Sequence, residues 1–160
     1  MTTTTATKTA VAATKPAAPA VKRTKAKKKT GVVTRGKRKE CLARASIRKG
    51  KGVVRINSLL LDAIPNRFAR EIIREPLGMA PEVASEVDIA VSVVGGGVMG
   101  QAQACRMAIA RALVEYSSDP ALKARMVERD RFMIAEDFRR VEPKKYLGPK
   151  ARARFQKSYR

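Results

Sequence analysis

Apolar periodicity in this chain is confined to one stretch, from Glu40 to Phe138, and the segments flanking it carry almost unmixed positive charge. Residues 1–39 hold 12 Lys or Arg and no acid, and residues 139–160 hold 9 basic residues against Glu142 alone. Between them, 14 basic residues face 13 acidic ones. A one-signed segment with few bulky apolar residues cannot bury enough surface to offset chain entropy, so only the middle can fold by itself. The expected organisation is a disordered basic arm over 1–34, a globular α+β domain over 35–138 and an extended basic tail over 139–160. The whole chain, at 160 residues, +21 and an isoelectric point near 10.9, sets up a field that draws polyanions, chiefly nucleic acid or an anionic membrane.

Several function classes fall away on composition. Histidine is absent, which removes Ser-His, Cys-His and His-metal chemistry and the usual general base near neutral pH. No catalytic residue, metal ligand or cofactor-binding residue is expected. Cys41 and Cys105 have no C-x-x-C spacing and sit in strand-like and helix-like surroundings, so both read as buried thiols of a reducing compartment. There is no run of about 18 apolar residues, so nothing is expected to span a membrane. The opening Thr-, Ala-, Lys- and Pro-rich stretch lacks the apolar core of a secretory signal, and Pro16 and Pro19 oppose an amphipathic presequence helix.

Within the middle, Cys41, Ala43, Ala45 and Ile47 alternate with Leu42, Arg44, Ser46 and Arg48, the period of a half-buried strand with one apolar exception. The glycines around Lys49 and Lys51 predict a turn, and Val54 and Ile56 a return strand, giving a hairpin with a basic tip. A short apolar piece over 59–64 stops at Pro65; Asn66 is placed to cap a helix that Pro76 should end. Residues 77–85 read as a linker of ambiguous structure. Val87, Ile89, Val91 and Val93 form the cleanest strand pattern. After Gly100, small and apolar residues recur at three and four through Tyr116, flanked by Arg106 and Arg111, as in a helix seated closely on a sheet. Asp119-Pro120 predicts the start of another helix, and Phe132 and Ile134 a last strand.

The strand at Val87 runs into GGGVMG at Gly95–Gly100, which satisfies G-x-G-x-x-G. A dinucleotide site needs a second strand after the helix, ended by an acid about 20 residues on. Here that distance falls on Glu115 and Asp119, at a helix end and a helix cap, and the strand is missing. Two readings remain: the glycines make a tight strand-to-helix turn, or the bare backbone of Gly97, Gly100 and Gln101 receives an RNA phosphate at the helix N-terminus.

The tail spaces Lys144, Lys145, Lys150, Arg152, Arg154, Lys157 and Arg160 along an extended segment, with Tyr146, Phe155 and Tyr159 between them. Such arms thread folded RNA, pairing cations with phosphates and stacking rings on bases. The N-terminal KPAAPAVKRTKAKKK also has the composition of DNA-packaging, linker-histone-like tails, the alternative reading, although a near-neutral α+β body suits it poorly.

Four stretches, GKRKECLARA from Gly36, GKGVVRIN from Gly50, GGGVMGQAQACRMAIARALVEY from Gly95 and the ending KARARFQKSYR, resemble the small-subunit ribosomal protein S-nine family, in its archaeal and eukaryotic branch. The likeness covers residues 35 to 160. It implies a small mixed β-sheet with helices packed on it, similar to the second domain of ribosomal protein S-five, with a left-handed βαβ crossover. It further implies a cytoplasmic, non-enzymatic component of the small ribosomal subunit that takes part in translation. Its partners would be ribosomal RNA of the subunit head, neighbouring head proteins and peptidyl-site transfer RNA, with no membrane. Carried over by position, Lys157, Ser158, Tyr159 and Arg160 would touch transfer RNA. Lys144, Lys145, Lys150, Arg152 and Arg154, with Lys37, Arg38, Lys39 and Arg44, would hold ribosomal RNA, as would the basic turn at Lys49 and Lys51, the glycine loop, Arg106 and Arg111. Related tails commonly read Phe-Gly-Gly-Pro-Gly where this one has Tyr146-Leu147-Gly148-Pro149-Lys150, which removes two glycines from the tail's bend.

Overall fold

Val87 to Val94 alternate between buried and outward-facing residues and form the strand, β5 (Val87–Val94), on which the sheet is built. In the computed structural model, which describes residues 31–156 and 158, β2 (Cys41–Lys49) runs antiparallel along one side of β5 and β3 (Val54–Ile56) parallel along the other. β1 (Val32–Arg38) pairs with β2, and the two-residue β4 (Leu59–Leu60) pairs with β3. The order is β1-β2-β5-β3-β4.

The expected hairpin between the second and third strands is therefore corrected. Each is a strand, but β5 lies between them, and β2 has its hairpin with β1 instead. β1 is absent from the sequence reading because its inward positions are Thr34 and Gly36, which leave no apolar alternation to read. It begins at Val32, inside the stretch assigned to the arm. Residues 1–30 of that arm lie outside the described residues.

Helices cover one face of the sheet. α1 (Arg67–Met79) starts at Asn66, whose side chain accepts from the Ala69 amide at 3.2 Å, as its position predicts. It does not stop at Pro76: that ring is buried on the same stripe as Ala69 and Ile73, and the helix continues three residues beyond it. Proline removes one backbone bond and strains the turn before it, and here burial holds the helix together across it. Residues 77–85 divide between the end of α1 and a short α2 (Pro81–Glu86). α3 (Val98–Ser117) is the central helix, buried at Ala104, Ala108 and Ala112 as well as at Cys105, Ile109 and Leu113, because it has the sheet on one side and α1 and α4 (Pro120–Arg129) on the other. Asp119 caps α4 through the Ala121 amide at 2.9 Å. The last expected strand is a 3-10 turn, Arg131–Met133, because the Asp130 carboxylate takes the Phe132 amide at 2.8 Å and winds the backbone.

The seating of α3 on β1 is close enough to fix residue identity. Thr34 Oγ1 donates to the Ala108 carbonyl at 2.7 Å, and a Cβ on Gly36 would lie 2.2 Å from the Ala104 carbonyl oxygen. Both cysteines are buried, and burial, reinforced by nearby Cys41, pushes the Cys105 thiol up to about 12.

Gly36→Ala should destabilise the protein by about 3 kcal/mol, the upper end of overpacking, because the obstacle is helix backbone; an unchanged urea midpoint would contradict that contact. With Cys105 protonated at any ordinary pH and both thiols enclosed, Ellman's reagent at pH 8 should titrate neither until denaturant is added. Rapid labelling of the folded protein would show the core to be looser than described.

Candidate nucleic-acid interface

The tail leaves the body at a carboxylate. Asp137 is 2% exposed and takes four contacts from Arg139: the backbone N–H at 2.9 Å and Nε at 3.1 Å to Oδ1, then Nε at 3.0 Å and Nη2 at 2.7 Å to Oδ2. Arg38, at the end of β1, pairs with the same carboxylate. Glu136 beside it holds Arg35 at 3.3 Å, and Arg140 donates to the Lys39 carbonyl at 3.2 Å. Arg139 also lies over the Phe132 ring, 5.8 Å from its centroid. Glu136, Asp137 and Arg140 are thus tied to β1 and its turn into β2, and this junction sets where the tail begins.

Next to it lies a hollow of about 620 Å³ between the β1–β2 turn, the N-terminus of α3 and the tail base, with Lys39, Arg140, Gly97 and Met99 in its walls. The glycines of the loop divide by role. Gly95 (φ +80°) and Gly96 (φ +64°) are required by the turn, and Cβ atoms there would meet the Glu40 carbonyl at 2.6 Å and Cys41 Sγ at 2.1 Å. Gly100 faces Cys41 Sγ as well, and Gln101 turns back to donate to the Gly95 carbonyl at 3.0 Å. Gly97 differs. Its φ is −114°, nothing lies within 4 Å of where its Cβ would be, and it is the N-cap of α3 without a side-chain cap. The first-turn amides of a 20-residue helix open there into cationic surroundings.

The remaining sequence-derived residues fall into distinct places. Lys37 and Lys39 flank the β1–β2 turn, and Lys39 holds its tip at φ +53°. Arg44, Lys49 and Lys51 are on the opposite sheet face and its rim, away from the hollow. Arg106 and Arg111 face inward. Arg106 joins Glu75 at 2.8 Å and Asp130 at 2.6 Å, and Arg111 donates to the carbonyls of Ile134 at 2.8 Å and Arg35 at 2.7 Å. Partial burial pushes the Asp130 carboxyl up, but the Phe132 amide and Arg106 outweigh it and hold it below the usual range. These two arginines are braces between α3 and the segment leading to the tail.

In the tail, Lys144, Lys145 and Lys150 are exposed and have no ion-pair partner among the described residues. Arg152 pairs with Glu142 at 2.6 Å, which lowers the Glu142 carboxyl, and Arg154 donates to the Tyr146 carbonyl at 2.9 Å. Leu147 adopts φ +61° in the turn at Tyr146 and Leu147, with the strain of a left-handed residue. Lys157, Tyr159 and Arg160 lie outside the described residues; Ser158 is exposed. Sequence reasoning missed Asp137, Arg139 and Arg140; the acid pair Glu136-Asp137 at the start of a basic run was the available signal.

A family model described as Ribosomal protein S9/S16 matches residues 36–160. Among curated proteins, the chain is 50% identical over 125 residues to the small ribosomal subunit protein uS9 of Methanothrix thermoacetophila, covering 78% of this chain and 95% of that one. It is 50% identical over 129 residues to uS9 of Thermoplasma acidophilum, covering 81% and 100%, and 49% identical over 145 residues to uS9 of Aeropyrum pernix, covering 81% and 96%. The match starts at Gly36 in β1 and runs through the tail to Arg160, taking in the helix-covered sheet, the glycine loop and the cationic extension together, and on that evidence the chain belongs to the ribosomal protein S9/S16 family.

Proposed function

We propose that this protein, a small-subunit ribosomal protein by family, binds ribosomal RNA in the subunit head and reaches peptidyl-site transfer RNA with the end of its tail, without catalysing a reaction. The observation that carries the reading is the junction at Asp137. It ties a limb of +8 to a near-neutral body at a fixed point, beside open helix amides and unpaired lysines. Anchoring the base of the tail fixes where its cations start, and phosphate neutralisation needs no base-specific geometry.

In this reading Lys39, Arg140 and the amides after Gly97 receive one RNA phosphate, Lys144, Lys145 and Lys150 take further phosphates along the tail, and Arg152 and Arg154 join them by exchanging Glu142 and the Tyr146 carbonyl for phosphate oxygens. Exposed Tyr146 and Phe155 supply rings for stacking. Lys157 to Arg160 form the transfer RNA end. Gly100, Gln101, Arg106 and Arg111 support the site from behind, and neighbouring head proteins cover parts of the remaining surface.

Gly97→Ser separates a structural glycine from a ligand-facing one. Serine suits the N-cap and would satisfy the amides itself, so melting should be unchanged or raised while affinity for small-subunit RNA falls several-fold. Unchanged affinity would remove the loop from the interface. Deleting Arg160 should leave subunit assembly intact and weaken transfer RNA retention at the peptidyl site about tenfold, the equivalent of one charge-assisted contact of about 1.5 kcal/mol. Failed assembly would instead make the tail an RNA-folding element first.

A further inference from the structure

The face of the sheet turned away from the helices has no cover from the described residues. Its register brings Arg44 beside Ser92 on one row, Ser46, Ala90 and Arg55 onto the next, and Arg48 beside Asp88 on a third. Rows are about 7 Å apart and adjacent strands about 4.8 Å, so Arg44, Arg48 and Arg55 bracket a patch of about 10 by 14 Å. Its floor is small: Ser46, Ala90 and Ser92 line one shallow hollow of about 630 Å³ with Arg44 and Arg55.

The charges of this face are not balanced within it. Arg35 stands directly across from Arg44, a like-charged pair that is unfavourable in isolation, and its guanidinium reaches over the sheet edge to Glu136. Arg44, Arg48 and Arg55 have no hydrogen bond or ion pair to a side chain among the described residues. Asp88 is the acid on this face, and the amides of Lys51 at 2.9 Å and Val53 at 3.0 Å hold it below the usual carboxylate range. It is fixed in place as a turn support, across from Arg48 and near Arg55, and leaves three arginines against one carboxylate.

We infer that this open sheet face is a second RNA-docking surface, separate from the tail, that receives the sugar-phosphate backbone of an RNA double helix rather than splayed bases. The inference rests on the reading of the protein as an RNA-bound ribosomal component. No strand carries an aromatic residue, so the sheet has no ring on which to stack a base, as single-strand-reading sheets do. A flat floor of small residues rimmed by arginines instead matches the wide, shallow minor groove of A-form RNA, with guanidinium groups reaching phosphates on both edges. An acidic protein segment would share the charge complementarity, but protein interfaces are centred on large apolar or aromatic anchors, and the exposed apolar residues of this face, Val33, Leu60 and Val94, stand on its edge strands and at the end of β5 rather than at its centre.

The test uses the full chain and a variant with Arg44→Gln, Arg48→Gln and Arg55→Gln, folding being checked by thermal melting. Small-subunit ribosomal RNA and a fully paired RNA duplex of arbitrary sequence serve as probes, each titrated across a range of salt. For both probes the slope of log K against log salt should become shallower by about 2–3, as loss of three phosphate contacts requires, while the same substitution at the helix arginines Arg67 and Arg125 leaves it unchanged. If wild-type protein binds ribosomal RNA and the triple variant keeps its slope, this inference is overturned and the ribosomal reading stands. Kept slopes together with loss of a neighbouring protein from assembled subunits would assign the face to a protein partner. Absence of wild-type RNA binding would overturn the broader reading itself.

Discussion

Everything that positions the cationic limb depends on how closely α3 lies on β1. The approach is possible because Gly36 has no side chain and Thr34 replaces an apolar contact with a hydrogen bond to the Ala108 carbonyl. With the helix this near, Arg111 reaches backbone carbonyls of both β1 and the segment after α4, and Arg38 at the end of β1 reaches Asp137. An edge strand is ordinarily a liability, with unpaired backbone groups facing solvent. Here β1 carries the side chains that fasten the tail.

The second constraint is where the acids go. Glu75 and Asp130 hold Arg106, Asp137 holds Arg38 and Arg139, Glu136 holds Arg35, and Asp88 accepts from backbone amides. Buried or half-buried carboxylates are thus matched to groups that organise the fold. Among the described residues, Lys37 and Lys39 at the turn, Arg44, Arg48 and Arg55 on the open sheet face and Lys144, Lys145 and Lys150 in the tail have no carboxylate partner, as is also true of Arg67, Lys123, Arg125 and Arg131 on the helix side. A near-neutral body is therefore compatible with strongly cationic outer surfaces.

Much of this was legible in the sequence where one residue type has one dominant reason to be present. Period-two alternation located β2 and β5, and Asn66 and Asp119 located two helix starts, because a short polar side chain that caps amides leaves a local mark. Strand partners were not legible. Alternation tells which face a residue takes but not which neighbour it pairs with, so β2 and β3 read as a hairpin although β5 separates them. β1 was hidden because its buried positions are a threonine and a glycine, and Pro76 looked like a stop because its burial in the core is a tertiary fact. At the candidate site, the charge of the tail was visible at once, whereas the inward turn of Arg106 and Arg111 was not. An arginine beside an apolar stripe reads the same whether it faces solvent or braces a loop.

The central claim is that the limb beyond the Asp137 junction engages RNA through phosphates while the body holds its starting point. The most direct measurement compares the salt dependence of small-subunit RNA binding for the full chain and for a chain ending at Val141, which keeps the junction and removes seven basic residues and one acid. The account requires the full chain's slope of log K against log salt to be steeper by about 4–6, with the truncated chain still folded. Parallel lines would mean that the tail does not neutralise phosphates, and would contradict it.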